Sequence, residues 1–475
     1  AGGAHALHAM PHTRPLPPHI GDRMRRRPSP LVTLLAAVVI VAAPAATAHA
    51  QGRLRDKISA LFIFGPGEEP LFLAGSADPD NPASIRIHGE HFIPSSSAEN
   101  GSIIGFVTEA VSANVSNVPI GSTSGGETFH FEGGVPVKTS SSAGPIFGER
   151  AQTLGRGRTL AGVSRTAFHF TSLRGVDLSD VELNFTHQNV DFPGCDSIAG
   201  GDCSKMGLPN VENDVIQLHL ALDIDVHVTS FYLTYGLTDR VDVSALVPLV
   251  ETSLHGQSDA QVLPFGGPTA FHFFAGTPTS PVLTATRVTQ GSSFGLGDVA
   301  VRVKTSVRQT PKTSVALLAD ARFPTGSQED LLGAGSFAAR GLAIVSTRVG
   351  DFSPHANVGY LYRAGDTQND AVLGTIGFDD RMIGKVTLAA DLVSELQVGQ
   401  SHLTLPPPVT YDAPFHRVVQ PTSIPDTRDD IVNGSFGVKV GSGSGAIGIL
   451  NALFPLNRGG LRPNVVYTLG VEYSF

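Results

Sequence analysis

The sequence predicts an all-β protein, a transmembrane antiparallel β-barrel of about 14 strands with an N-terminal helical plug or periplasmic segment. Three observations support this fold class. Apolar residues recur at every second position in many segments, the connectors between these segments alternate between short and long, and the last segment is a strand with one apolar face. An apolar face toward lipid and a polar face toward a wet lumen would produce this pattern.

The composition agrees with a barrel and excludes some other classes. The chain has 475 residues, 53 of them Gly, and only 16% are charged. No segment after the N-terminal region has 18 or more unbroken apolar residues, which argues against helical membrane spans. The net charge of −9 and the lack of a basic block in that part of the sequence give no support for nucleic-acid binding.

The N-terminal region is predicted to be an export signal. Met24–Arg27 supplies a positive segment, residues 31–43 are apolar, and Ala48-His49-Ala50 fits a cleavage site. We therefore expect a signal peptide over 24–50, with 1–23 a spurious upstream extension. A retained anchor helix is the alternative. Export predicts the bacterial outer membrane as the location, with outer-membrane lipid and the barrel assembly machinery as partners.

The last eleven residues predict the strand that closes the barrel. Apolar side chains alternate with small or polar ones, and the chain ends in an aromatic residue. This pattern is typical of the closing strand of outer-membrane barrels. The residues assigned to the barrel-closing signal are Leu469, Val471, Tyr473 and Phe475.

Polar residues that alternate with the apolar ones are predicted to line the lumen. The candidates are His219, Asp223, Asp225, His227, Arg302, Lys304, Asp320, Arg322, Asp391 and Glu395. Their mixed charges suit either ion pairs that hold the barrel shut or a polar permeation path. In the segment 214–235 the apolar parity changes near Ser230, which predicts a bulge.

The connectors predict the orientation of the barrel, residues 127–475. Tight turns are expected at Gly236–Asp239, Thr310–Lys312, Gly350–Ser353, Asp379–Arg381 and Ser442–Gly445. Most of the other connectors are longer, as expected for external loops. The first two of the 14 predicted strands are 128–138 and 159–170, and a further strand is expected at 180–187.

Residues 51–126 do not show the barrel pattern. Apolar residues near every fourth position predict an amphipathic helix over 101–117. This segment could be a plug in the lumen or a loosely ordered periplasmic tail. Further along, Cys195 and Cys203 lie close together in a loop, and export favours a disulfide between them over two idle thiols.

No motif indicates catalysis, a cofactor or a metal centre. Gly291–Gly295 matches G-x-S-x-G and Gly443–Gly448 matches G-x-G-x-x-G, but neither has the strand–turn–helix context that the chemistry needs. The four His and Asp candidates of segment 214–235 lie on one strand, where alternate positions are roughly 6.6 Å apart. They cannot all bind one ion. The acidic loop 189–214 could hold calcium, but an ordinary solvated loop is favoured.

Several short stretches resemble a known family. They are His88–Pro94, Gly144–Ala151, Thr153–Arg158, Gly295–Val299 and Phe323–Ser327. These stretches are similar to outer-membrane transporters of the "MetA-pathway of phenol degradation" type, which are related to FadL/TodX-like hydrocarbon and fatty-acid channels. The resemblance implies a channel for a small hydrophobic solute, with an N-terminal plug. Two features depart from it: the chain has no Trp, and its lumen candidates are strongly charged.

Two hypotheses follow. The first is a passive channel for small, hydrophobic or aromatic molecules. The second is a structural or surface-interaction barrel whose external loops are the functional parts. A tightly filled, ion-paired lumen would favour the second.

Overall fold

The computed structural model describes Gly2 and residues 53–64, 69–73, 91–94, 98–115, 129–132, 135–138, 142–186, 195–196, 200–201, 214–264, 272–411, 415–442 and 445–475. Apart from Gly2, the predicted upstream extension and signal peptide lie outside the described residues. Cys195 is described in a short strand, but Cys203 is not. The disulfide therefore stays a prediction.

Two helices precede the strands, α1 (Leu54–Ala60) and α2 (Ala98–Val115). Helix α2 includes most of the predicted 101–117 helix. Among the described residues, no helix has both the length and the apolar character needed to cross a membrane.

The strands are β1 (Phe129–Glu132), β2 (Val135–Lys138), β3 (Thr159–Leu173), β4 (Val176–Asp177), β5 (Val181–Thr186), β6 (Cys195–Asp196), β7 (Gly200–Gly201), β8 (Val215–Gly236), β9 (Val241–Leu263), β10 (Ala275–Thr277), β11 (Ser280–Val282), β12 (Thr284–Leu296), β13 (Val299–Gln309), β14 (Thr313–Phe323), β15 (Ala338–Thr347), β16 (Phe352–Arg363), β17 (Ala371–Ile383), β18 (Val386–Gln397), β19 (Val409–Tyr411), β20 (Arg417–Val419), β21 (Ile431–Gly441), β22 (Ala446–Pro455), β23 (Leu461–Pro463) and β24 (Val466–Ser474).

Twelve antiparallel strands close into a ring. In ring order they are β3, β8, β9, β13, β14, β15, β16, β17, β18, β21, β22 and β24. The predicted closing strand is β24, which completes the ring by pairing with β3 from Tyr467↔Ala167 to Ser474↔Leu160. Closure leaves no free edge, as a β structure in lipid requires.

The predicted count of about 14 membrane strands was too high. Within the predicted strand 128–138, β1 and β2 pair only with each other and do not join the ring. The strand predicted at 180–187 is β5, which pairs with the outer half of β8 and is no part of the ring either. Alternation identified both segments as strands, but alternation cannot tell which strands pair in the closed ring.

The short connectors all lie at one end of the barrel, which we call the turn end, and the long connectors lie at the opposite end, the loop end. The described residues of the turn end include 237–240, 310–312, 348–351, 384–385, 442 and 445. The turn predicted at Asp379–Arg381 was misplaced, because β17 continues to Ile383.

Strands β8 and β9 are longer than the rest and pair along their whole length, from Val215↔Leu263 to Gly236↔Asp242. Their turn-end halves belong to the ring. Beyond it, β5 pairs with β8 and β12 pairs with β9, which makes a four-stranded extension of the wall on the loop side. Strand β12 continues into β13 through Gly297 and Asp298, so the two together follow β9 along most of its length.

The bulge predicted near Ser230 is absent. Strand β8 pairs with β3 and β9 across this point without a register shift. Its even-numbered residues face inward throughout. They change from apolar residues such as Val226 and Val228 to polar ones such as Thr234. The parity change in the sequence therefore marks a change in what each face contacts.

Candidate functional site: the barrel lumen

The register pairs show which side chains enter the lumen, because directly opposite partners point to the same face of the sheet. Arg302 of β13 lies opposite both Asp320 of β14 and Ser244 of β9. Arg302 is 2% exposed and Asp320 is 7% exposed. Val301 and Val303, on either side of Arg302, are 40% and 41% exposed. The charged residues thus face inward and the valines face outward, toward lipid.

The segment 142–158, which we call the strap, crosses the lumen near the turn end immediately before β3. Ser142 and Arg150 of the strap both bind the carboxylate of Asp379 on β17. The Arg150 Nε also donates to Asp379 Oδ1 at 3.2 Å. All three side chains are buried. A buried charge pair of this kind anchors the strap strongly, because either partner alone would be an uncompensated charge.

The strap backbone is also attached to the barrel wall. Its N–H groups donate to side chains of β18, β16, β15 and β9, so four strands share the strap. These bonds are Gly148 N to Asp391 Oδ2 at 3.3 Å, Glu149 N to Asn357 Oδ1 at 2.8 Å, Ala151 N to Ser346 Oγ at 2.9 Å and Leu154 N to Asp242 Oδ2 at 3.0 Å.

Glycines allow the strap to lie so close to the wall. Gly155 and Gly157 have φ of +90° and +77°, which L side chains rarely adopt. Gly157 N donates to the carbonyl of Gly236 at 2.8 Å, where the strap meets the end of β8. At Gly148 a Cβ would overlap the ring of His355. The stretches Gly144–Ala151 and Thr153–Arg158, noted for their family resemblance, therefore form the strap itself.

Charged side chains extend the strap contacts across the lumen. Arg302 binds Asp320 and lies 3.5 Å from Glu149 of the strap. Arg340 Nη2 lies 3.2 Å from the same Asp320 carboxylate. This network crosslinks β13, β14 and β15 to the strap.

The helices lie at the loop end. Helix α1 packs against the extended wall, where Ser258 Oγ of β9 donates to the carbonyl of Leu61 at 2.5 Å and Thr289 Oγ1 of β12 donates to that of Lys57 at 3.1 Å. For α2, Asn100 Nδ2 donates to the carbonyl of Thr186 on β5 at 2.8 Å. Apolar residues of both helices share one core with inward residues of β8. A plug role for residues 51–126 stays a prediction.

A cavity of about 190 Å³ lies in the barrel on the loop-end side of the strap. Phe147 and Glu149 of the strap form part of its wall. One part of the lining is apolar and includes Phe168, Phe170 and Leu453. Another part is charged and consists of Glu149, Asp320, Arg322, Arg340, Arg363, Glu395 and Arg462. The lumen therefore offers a compartment with an apolar side and a charged side.

The structure divides the predicted lumen residues into two groups. The six placed inside the barrel are Arg302, Lys304, Asp320, Arg322, Asp391 and Glu395.

The other four candidates, His219, Asp223, Asp225 and His227, lie on the outer face of β8, and their assignment to the lumen was wrong. Val226 lies opposite Phe168, which lines the cavity, so the neighbouring odd-numbered residues point outward. Alternation in a membrane strand usually means that the apolar face contacts lipid and the polar face lines the lumen. In this half of β8 the apolar face points inward and contacts the helices, so the polar face points outward.

The outer face also gathers the only set of three described residues that could offer ligands to one metal ion. These are His169 of β3 with Asp223 and Asp225 of β8. His169 Nδ1 lies 3.0 Å from Asp225 and 3.6 Å from Asp223. All three side chains are largely exposed, as is usual for a solvated surface cluster.

The sequence analysis missed the strap and several cavity residues. Phe168, Arg340 and Arg363 belong to strands whose alternation was visible, so their inward direction could have been derived from register. Arg462 lies in the three-residue strand β23, in a segment predicted to be a connector. The strap has no periodicity, and only its glycine-rich resemblance motifs indicated that it was special. Two further resemblance stretches meet each other: Thr325 Oγ1 donates to the carbonyl of Gly297 at 2.6 Å.

A closed antiparallel barrel with outward aliphatic side chains and an inward charged network is an outer-membrane type of β-barrel. The family model "Putative MetA-pathway of phenol degradation" matches residues 210–377. This match confirms the resemblance seen in the sequence over that stretch, which includes seven of the twelve ring strands wholly or in part, from β8 to β17. No curated protein sequence matches the chain.

Several solved structures are similar to this chain. The COG4313 outer membrane channel from Pseudomonas putida F1 is 11% identical with a TM-score of 0.38, covering 68% of this chain and 98% of that one. The P. putida toluene transporter TodX is 9% identical with a TM-score of 0.29, covering 67% and 89%. A Pseudomonas aeruginosa FadL homologue is 10% identical with a TM-score of 0.29, covering 67% and 89%. At TM-scores this low, these likenesses carry no argument about the chain.

Proposed function

We propose that the protein is a passive outer-membrane channel for small molecules that are hydrophobic or aromatic. One observation carries the proposal: the strap closes the turn end without belonging to the ring. Many of its contacts are with wall side chains, and only its last residues form backbone hydrogen bonds with the wall, at Gly236 of β8. No strap residue contributes a strand to the ring. The strap can therefore move while the wall stays closed. A solute would occupy the cavity beside Phe147 and leave when the strap shifts.

The family match over residues 210–377 supports a channel as the general class. The apolar part of the cavity lining supports a solute with an apolar body, since burial removes that body from water at roughly 25 cal/mol per Å². In a passive channel the direction of net flow follows the concentration gradient of the solute.

The test compares the full chain with a variant that lacks residues 51–126. Both are inserted into vesicles whose outer leaflet contains lipopolysaccharide, through which hydrophobic solutes cross slowly. Uptake of a labelled aromatic solute should exceed that of protein-free vesicles, and removal of the helices should raise it further. No uptake through either form would refute the proposal.

A second candidate is a structural or surface-interaction barrel. The observation that favours it is the amount of buried ion pairing inside the lumen, including Arg150–Asp379 and Lys439–Glu472, the latter at 3.4 Å. In that case the loop-end elements would be the functional parts, among them the hairpin β19–β20. The vesicle experiment separates the two candidates, because a purely structural barrel passes no solute in either form.

A further inference from the structure

We propose that the cavity binds the carboxylate of a small amphiphile with a single ring, and that Arg322 and Arg340 hold this anion. The inference rests on the proposed function for the route by which the ligand arrives. It goes beyond that function by naming a charged head group that a neutral hydrocarbon lacks.

The first argument is the charge around the cavity. Its lining contains four guanidinium groups, those of Arg322, Arg340, Arg363 and Arg462, against three carboxylates. Glu395 is paired with Arg363 at 2.5 Å. Asp320 and Glu149 are already shared with Arg302, which is not part of the lining. Positive charge therefore exceeds negative charge on the cavity wall.

Arg322 has no carboxylate within ion-pair distance in the described part of the chain, and the same is true of Arg462. The Nε atoms of Arg340 and Arg462 are buried with no hydrogen-bond partner among those residues. A buried N–H donor without an acceptor is unfavourable, and a buried guanidinium is more so. An anion in the cavity would satisfy these donors.

The second argument is the position of the two arginines. Asp320 lies opposite Arg340 across β14 and β15, and Arg322 lies opposite Ala338. Arg322 and Arg340 are therefore diagonal neighbours on the lumen face, at a separation that long side chains can bridge. Two guanidinium groups converging on one side of a cavity match the two oxygens of a carboxylate, because each presents N–H donors in a fixed plane.

The third argument is the size of the apolar part. Phe168 and Phe170 are buried and their rings stack at 6.0 Å between centroids. Leu453 belongs to the same apolar cluster and also lines the cavity. The volume of about 190 Å³ compares with the roughly 150 Å³ of an apolar cavity that accepts benzene. One ring with a carboxylate fits this volume, whereas a long acyl chain does not.

The experiment measures binding of three isosteric probes to the full chain in detergent by calorimetry. The probes are benzoate, benzamide and benzylamine at pH 7, which are anionic, neutral and cationic. We expect benzoate to bind at least about tenfold more tightly than benzamide, and benzylamine to bind most weakly. Equal or tighter binding of benzamide would overturn the proposal.

The deciding variant is Arg322→Gln, because Arg322 takes part in no described ion pair and its loss leaves the Arg302–Asp320–Arg340 network intact. The matched control is Arg308→Gln, an exposed arginine at the turn end of β13. Arg322→Gln should lose the preference for benzoate over benzamide, and Arg308→Gln should retain it. A preference that survives Arg322→Gln would assign the anion to another group and overturn the role of Arg322.

The fluorescence of salicylate provides a second readout, since the chain contains no Trp to interfere. The vesicle assay then separates the two proposals. If neutral aromatics cross but benzoate does not bind, the anion site is wrong and the channel stands. If benzoate binds but no solute crosses, the anion site stands and the channel is wrong.

Discussion

Loss of Arg150 should open the turn end of the lumen. Its guanidinium donates to Asp379 and to Ser142, and the side chains involved are shielded from water. Removing one partner of a buried ion pair typically costs about 3–5 kcal/mol. The other described strap anchors include four backbone bonds to wall side chains, each contributing on the order of 1 kcal/mol. The Arg150–Asp379 pair therefore contributes about as much as those four bonds together.

For Arg150→Gln, the equilibrium between a seated and a displaced strap should shift by about two to three powers of ten. The assay is single-channel conductance in planar bilayers, with electrophoretic mobility of unheated and heated samples as the check on barrel folding. The variant should show frequent or permanent open levels where the native protein is mostly closed.

The matched control is Arg156→Gln, an exposed strap residue whose described contact is made by its backbone N–H. It should behave as the native protein does. The double variant Arg150→Gln with Asp379→Asn should open less than Arg150→Gln alone, because no unpaired carboxylate is left behind. A folded Arg150→Gln barrel with native conductance would refute the view that this pair holds the strap.

Three other predictions test the strap, the outer face and the loop end. Gly148→Ala should displace the strap and raise conductance, because the added methyl group would overlap His355. The control is Gly341→Ala, since Gly341 has open space around it. Equal conductance of the two variants would contradict the close contact at Gly148. Ile376→Arg places a charge on a residue that is 67% exposed toward lipid. The free energy of unfolding, measured with urea in vesicles, should therefore fall by about 2–4 kcal/mol. An unchanged free energy of unfolding would argue against a lipid-facing position. Burial raises the pKa of Tyr411 to about 12, so the difference titration at 295 nm between the native protein and Tyr411→Phe should have its midpoint near pH 12. Because the folded state favours the neutral phenol, the associated stability is present below pH 10 and is lost as pH rises through 12; a midpoint near 10 would contradict burial.

Much of the barrel could be predicted because membrane strands obey a local rule. Successive side chains of β13 point to opposite faces of the sheet, one toward lipid and the other toward the lumen. Val301 and Val303 therefore alternate with Arg302 and Lys304, and this alternation can be read from the sequence of one strand alone. The same rule identified β24, and the recurrence of apolar residues near every fourth position identified helix α2. The rule could not give the number of ring strands, because pairing partners such as β5 and β8 are chosen over long sequence distances.

The rule failed where its assumption about the surroundings failed. On the loop-end half of β8 the apolar residues contact α1 and α2, and the polar residues His219 and Asp223 face solvent outside. The strap could not be predicted at all from periodicity, since its conformation depends on partners such as Asp379 and Asp391 that lie more than 200 residues away. The cavity arginines were visible as charges, but which of them lie within ion-pair distance of a described carboxylate appears only in three dimensions.

The path of the strap restricts the order in which the protein can be assembled. The strap leads directly into β3, the first strand of the ring, but its backbone partners lie on β9, β15, β16 and β18, which all come later in the chain. These partners surround the strap only after their strands have come together. The strap therefore reaches its final position no earlier than the part of the wall that encloses it.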